Sequence, residues 1–288
     1  MVTNFLDSSE IKITSIQHTL LNKKQVSVDV LRLDLLHPHI SGNKWFKLKY
    51  NIIEAQKKGY KMLLSIGGNY SNHLHALAYY GFMSHIKTIG LVRGEASSTN
   101  TLEDCKKWGM ELHFLPRQIF DTLYQSNDYS YWQTLFPEAY IIPMGGDNEL
   151  GLRGCQEILS PKLAKQYDTI VCSVGTATTL IGISQSIDNN LIGFMSTQDK
   201  NAVLKKIKAN TSHQHIRLLD DYKFGGFGKK DNELNDFIQY FQQEHAIELD
   251  CVYTAKSMFG LLDLIENNYF PIQHKILFIH TGGLQGNR

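Results

Sequence analysis

Short apolar runs that end in glycine- or hydroxyl-rich turns, each followed by a helical segment, recur along most of this chain and constrain its fold more than any other feature. Residues 62–65 run into Ile66-Gly67-Gly68-Asn69 and a helix after Ser71, and residues 88–92 precede a helix near 102–108. Residues 169–173 run into Val174-Gly175-Thr176, residues 191–194 and 216–219 repeat the pattern, and residues 275–280 run into Thr281-Gly282-Gly283. Strands separated by helices need crossover connections, which make a mostly parallel sheet. The runs are apolar nearly throughout, as expected where helices cover both faces of a sheet. The expected class is therefore α/β, with twisted, mostly parallel sheets and helices on both faces. Residues 118–136 break the rhythm. They are rich in tyrosine and polar residues, contain no strand, and are expected as a helical excursion before the pattern resumes at 140–142 and Met144-Gly145-Gly146.

Charge and cysteine content narrow the function. Lys plus Arg number 29 against 28 Asp plus Glu, a net charge of +1. That balance offers no electrostatic case for nucleic acid or an acidic membrane and favours a small-molecule ligand. The cysteines, Cys105, Cys155, Cys172 and Cys251, are scattered without zinc or redox spacing, as buried thiols in a reducing compartment would be. Residues 1–10 lack the basic start and apolar run of a signal peptide, and no uncharged run is long enough to span a bilayer. These absences predict a cytoplasmic protein with no metal centre.

Ligands of open α/β sheets bind beyond the C-terminal strand ends, where this chain places its chemistry. His39-Ile40-Ser41-Gly42-Asn43-Lys44 lies between a strand expected over 26–35 and a helix starting near Lys44. A lysine there can form a Schiff base if its pKa is depressed; alone, the motif fits an ordinary exposed lysine in a helix's first turn far better, since short motifs have many false positives. In Gly67-Gly68-Asn69-Tyr70-Ser71-Asn72-His73, Ser71 can cap the next helix, whose N–H groups can hold a carboxylate. Capping alone would select the same residues. Ser173-Val174-Gly175-Thr176-Ala177-Thr178-Thr179 is neither a P-loop nor a dinucleotide fingerprint and suits a small phosphate monoester. Cys251-Val252-Tyr253-Thr254-Ala255-Lys256-Ser257 and Phe278-Ile279-His280-Thr281-Gly282-Gly283 fit functional turns and plain core packing alike.

Taken in order, SGNKWFKLKY, SIGGNYSNH, the Gly-Thr loop, VYTAKSM and LFIHTGG resemble the 1-aminocyclopropane-1-carboxylate deaminase and D-cysteine desulfhydrase family, which is of the tryptophan-synthase-β-like fold. The resemblance implies two domains: a larger one from residues 1–45 and 144–288, and a smaller inserted α/β domain over 46–143. It implies pyridoxal 5′-phosphate as cofactor, a small amino acid as substrate, and a homodimer. Lys44 would bind the cofactor aldehyde and shuttle protons. Asn72 would reach the ring 3′-oxygen, and Gly175, Thr176, Ala177, Thr178 and Thr179 would cradle the phosphate. Tyr253 would lie near ring and substrate, and Thr254 would face the pyridine nitrogen. Asn69, Ser71, Asn72 and His73 would hold the substrate carboxylate, with Ser71 as a proton relay.

Three departures bear on the reaction. Deaminases of the family carry Glu where this chain has Thr254, and SNQ where it has SNH with His73. A family Tyr appears as Phe227 in Gly225-Gly226-Phe227-Gly228. A hydroxyl at the ring nitrogen leaves a weaker electron sink, sufficient for eliminating a good leaving group. The expectation is therefore desulfhydrase-like β-elimination, with ring-opening deamination and non-catalytic cofactor binding as alternatives. The phosphate loop also carries Ala177 and Thr178 where glycines are usual. His213 and His215 are expected at the surface, His37 and His39 beside the cleft or in a turn, and His280 in the core or near the site.

Overall fold

The computed structural model describes residues 11–196, 199–226, 228–229 and 231–287. The chain begins β1 (Ile13–Ser15), α1 (Thr19–Lys24), β2 (Ser27–Arg32), α2 (Lys44–Lys57), β3 (Met62–Gly67), α3 (Asn72–Ser84), β4 (Lys87–Arg93) and α4 (Asn100–Lys107). It continues with β5 (Glu111–Leu115), α5 (Arg117–Ser126), α6 (Ser130–Leu135), β6 (Ala139–Ile142), α7 (Glu149–Cys155), α8 (Pro161–Ala164), β7 (Thr169–Val174) and α9 (Thr178–Ser184). Last come β8 (Asn190–Met195), α10 (Lys200–Asn210), β9 (Ile216–Leu219), α11 (Asn232–His245), α12 (Thr254–Glu266) and β10 (Lys275–His280).

The strands form a six-stranded sheet, β1-β2-β10-β7-β8-β9, and a four-stranded sheet, β5-β4-β3-β6. Every pairing is parallel except β1 on β2. The continuous apolar runs have the physical cause expected of them. In β7, Ile170, Cys172 and Val174 enter one core while Val171 enters the other; in β10, Leu277 and Ile279 part from Ile276 and Phe278 in the same way. Side chains alternate across a strand, so a sheet covered on both faces needs apolar residues at every position. The smaller sheet does likewise, with α2, α3 and α4 on one face and α5 and α6 on the other.

Helix α2 serves both sheets. Phe46 joins the core of the larger one, while Trp45, Leu48, Ile52 and Ala55 join that of the smaller. Its close packing on α7 rests on Gly154, where a Cβ would lie 1.8 Å from the Phe46 carbonyl oxygen. The structure departs from expectation at β1, an unforeseen antiparallel edge strand, at β2 and at β5. The strand expected over 26–35 stops at Arg32, because the Arg32 guanidinium folds onto the Asp34 carboxylate (2.9 and 2.6 Å) and the chain enters a 3₁₀ turn, Leu33–Leu35. Strand β5, unforeseen, is an edge strand whose half-buried Glu111 and His113 interrupt any apolar run. Among the described residues no helix is long and apolar enough to cross a membrane.

Candidate active site

The loop bearing Lys44 is pressed against the end of β10. Gly42 has φ +70°, and a Cβ there would lie 1.8 Å from the Thr281 carbonyl oxygen, so both conformation and space demand glycine. The next residue, Asn43, donates its N–H to that same oxygen (3.2 Å). Its side chain then bridges two loops: Oδ1 accepts from Lys44 Nζ (2.6 Å) and Nδ2 donates to Thr179 Oγ1 (2.8 Å). Burial pulls the Lys44 ammonium down from 10.5 to about 7; Lys47 pushes the same way, and Asp250 and Cys155 oppose. A lysine near neutrality offers an unprotonated amine to an aldehyde.

Of the residues expected at the site, Lys44, Asn72, Gly175, Thr176, Ala177, Thr179 and Tyr253 line one cavity at the C-terminal strand ends. The Tyr253 ring lies on Gly175, where a Cβ would stand 3.2 Å from its Cε1. Burial, with Asp250 nearby, pushes the Tyr253 phenol up, so it stays protonated at neutral pH. Ala177 takes the left-handed conformation (φ 64°) that turns the loop into α9.

The others are not part of this lining. Ser71 caps α3, its Oγ accepting from the Leu74 N–H (3.2 Å). Asn69 Oδ1 is buried without a hydrogen-bond partner. His73 is 2% exposed, with Nε2 3.0 Å from Ser65 Oγ, whose own proton goes to the Ile142 carbonyl (2.7 Å). Nε2 therefore carries the ring proton, and burial beside Lys44 and Lys47 pulls this imidazole to about 3, keeping it neutral. Thr178 is fully buried and donates to Asp147 Oδ1 (2.7 Å).

Thr254 is held by its own turn. It is fully buried, and its hydroxyl donates to Asp250 Oδ2 (2.8 Å) while accepting from the Asp250 N–H (2.8 Å). The same carboxylate takes the N–H groups of Val252, Tyr253 and Thr254, which starts α12 and spends the hydroxyl on the turn. Phe227 lies outside the described residues. His213 and His215 precede β9, with the His215 N–H on His213 Nδ1 (3.2 Å). His37 Nδ1 accepts from the His39 and Ile40 N–H groups in the turn before Lys44. His280 is fully buried, with Nε2 on the Glu248 carbonyl (2.7 Å) and Nδ1 accepting from the Gly282 N–H (3.2 Å).

Sequence reasoning assigned no role to Asn43, Lys47, Ser173 or Thr281, which line the same cavity, although all four stand in the candidate motifs, Lys47 within SGNKWFKLKY. Lys47 was legible, because residues three apart share a helix face, and its Nζ reaches Thr176 Oγ1 at 3.4 Å. The set fits pyridoxal phosphate on the protein's own terms. There is an amine near neutrality, a buried Asn72 amide oxygen without a partner, and a loop at the start of α9 with a lysine beside it for a phosphate.

This chain belongs to the pyridoxal-phosphate dependent enzyme family, whose model matches residues 14–282. Within it, the chain is similar to putative 1-aminocyclopropane-1-carboxylate deaminases. One from Thermotoga maritima is 28% identical, covering 93% of this chain and 92% of that protein. One from Pyrococcus horikoshii is 29% identical, covering 95% and 90%. A crystal structure of an ACC deaminase homologue superposes with a TM-score of 0.82 at 25% identity, covering 96% of this chain and 90% of that one. The architecture is thus the tryptophan-synthase-β-like fold.

Proposed function

We propose that this protein is a D-cysteine desulfhydrase-like lyase that converts a small amino acid carrying a β-leaving group, with water, into a 2-oxo acid, ammonia and sulfide. The observation that carries this reading is the polarity of the cavity: its lining offers the hydroxyls of Ser173, Thr176, Thr179, Tyr253 and Thr281, and no carboxylate among the described residues. Asp250, the nearby acid, is committed to the turn before α12. Expulsion of a thiolate tolerates a ring nitrogen that meets no carboxylate; opening a cyclopropane demands more.

The cofactor supplies the electron sink for the substrate's α-carbon. Lys44 would hold its aldehyde, and its Nζ would take the substrate's α-proton, a role suited to an amine poised near neutral pH. Gly175, Thr176, Ala177 and Thr179, with Lys47, hold the phosphate, and Asn72 orients the ring. The first turn of α3, built by Asn69, Ser71, Asn72 and His73, receives the substrate carboxylate through N–H groups that have no intrahelical partner. Tyr253 covers the substrate with a protonated phenol. Residues 46–143 would form the smaller unit, with the cofactor between it and the rest, in a homodimer.

The test is the visible spectrum of the purified protein before and after D-cysteine. A band that shifts while sulfide and pyruvate appear supports the reading; a band unmoved by D-cysteine overturns it. The named relatives favour a second reading, ring-opening deamination, which release of 2-oxobutyrate from 1-aminocyclopropane-1-carboxylate would establish. A band that no amino acid moves would leave cofactor binding without catalysis.

A further inference from the structure

Beside the cavity, the hydroxyl protons of Thr176 and Thr178 can be assigned one by one. An ionised Asp147 can only accept, so Thr178 Oγ1 donates to its Oδ1 (2.7 Å). With that proton spent, Thr176 Oγ1, 2.9 Å away, is the donor between the two threonines. Thr176 Oγ1 in turn accepts from Lys47 Nζ (3.4 Å). The chain of donors runs from Lys47 through Thr176 and Thr178 to Asp147. There Lys206, reaching over from α10, pairs with the carboxylate and also donates to the Thr176 carbonyl (2.5 Å).

Neither threonine hydroxyl has a proton left for a ligand. The loop's attraction for an anion thus rests on main-chain N–H groups, Lys47 and the hydroxyl of Thr179, which lines the cavity and accepts from Asn43 Nδ2 and Cys155 Sγ. Asp147 then poses a problem, because it sets a negative charge one hydroxyl away from a residue that lines the cavity. At such range in a partly buried site, an uncompensated charge acts strongly on a phosphate.

We propose that Asp147 and Lys206 are positioning residues for the cofactor's phosphate: the carboxylate orients the loop's threonine hydroxyls, and the lysine cancels the carboxylate's charge so that the phosphate is not repelled. The proposal rests on the phosphate lying at this loop. It predicts an asymmetry that an ordinary structural salt bridge lacks. Removing Lys206 alone exposes the carboxylate and harms binding, whereas removing both charges does not.

The experiment titrates the apo-forms of wild type, Lys206→Met, Lys206→Arg, Asp147→Asn and the Lys206→Met/Asp147→Asn double variant with pyridoxal phosphate and, separately, with pyridoxal. Binding is read by absorbance, and the melting of each apo-protein is recorded. Lys206→Met should weaken pyridoxal phosphate about tenfold and leave pyridoxal within about twofold. The double variant should recover most of that loss, and Lys206→Arg should stay near wild type. A double variant as weak as Lys206→Met, or equal losses for both ligands, overturns the proposal. Should Lys206→Met not fold, Asp147→Asn decides: its amide oxygen still accepts from Thr178, so pyridoxal phosphate should bind as well as in wild type or better, and weaker binding overturns the proposal. Lys47→Met separates this from the site assignment. If it leaves the preference for pyridoxal phosphate over pyridoxal intact, the phosphate lies elsewhere; if it abolishes that preference while Lys206→Met does nothing, only the present proposal fails.

Discussion

Lys44 and Lys256 both stand in the first turn of a helix, α2 and α12, where the helix dipole disfavours a cation. The fold withdraws both from water, and burial lowers both ammonium pKa values. Their partners differ. Lys256 is 1% exposed and donates to two main-chain carbonyls, Lys223 and Gly226, each at 2.8 Å. Lys44 has one amide oxygen, that of Asn43, and otherwise faces the cavity. Two fixed acceptors make a lysine a strut that ties a loop to a helix. One neutral acceptor and an open side leave an amine whose lone pair can be offered to an aldehyde. The same residue type in the first turn of a helix is thus structural or reactive according to how its burial is compensated.

The largest expected effect tests the reactive half. Lys44→Ala should abolish the visible band of lysine-bound cofactor and all turnover while the apo-protein still melts cooperatively. Lys256→Met should keep the band. Spectra of the two variants decide the matter, and a surviving band in Lys44→Ala would remove the contrast altogether.

Next in size is the structural half. Lys256→Met deprives two carbonyls of their donor, at a cost of about 2–4 kcal/mol. Urea unfolding followed by circular dichroism should show a lower midpoint with an unchanged slope. An unchanged midpoint would mean that Lys256 is not a strut.

What could be read from the chain follows the same physics. Residues 62–65, 169–173 and 275–280 were legible as strands because burial on both faces makes most positions of β3, β7 and β10 apolar, with polar residues few and mostly near the ends. Edge strand β5, with Glu111 and His113 half in solvent, carries no such run. At the site, Gly42 and Lys44 were legible through their motif. The contact that makes Gly42 obligatory is with Thr281, far away in sequence. Thr254 shows the limit. The resemblance implied a hydroxyl facing the ring nitrogen, but whether a threonine faces a cavity or its own turn depends on a carboxylate four residues earlier, and Asp250 captures it. Lys47 could have been found from its spacing to Lys44 and was not.

A smaller effect would sharpen the contrast. Asn43→Ala removes the acceptor that stabilises the charged form of Lys44, so its pKa should fall further below about 7. It also frees Thr179, and cofactor affinity should drop about tenfold, the scale of one lost charge-assisted hydrogen bond. Cofactor-band formation followed against pH should therefore reach its half-maximum at lower pH than in wild type. An upward movement would mean that something other than Asn43 holds the ammonium.

The smallest effect concerns the apo-protein and has opposite signs at the two lysines. Lys44 titrates at about 7 in the folded chain and near 10.5 when unfolded. Below pH 7 both states are protonated and the folded one bears the full cost of a buried ammonium. Between 7 and 10.5 the unfolded state binds the extra proton, so stability rises with pH across that window. Lys44→Met carries no such cost. Discounted for the solvent that reaches the cavity, the variant should be more stable than wild type by about 1–2 kcal/mol at pH 7, with the gap closing as pH approaches 10. Lys256→Met should be less stable than wild type throughout. Denaturant melts of both apo-variants at pH 7 and pH 9.5 give the answer. A Lys44→Met protein that unfolds more easily than wild type at pH 7 would place Lys44 beside Lys256 among the struts, and its depressed pKa would then be a by-product of packing rather than a preparation for chemistry.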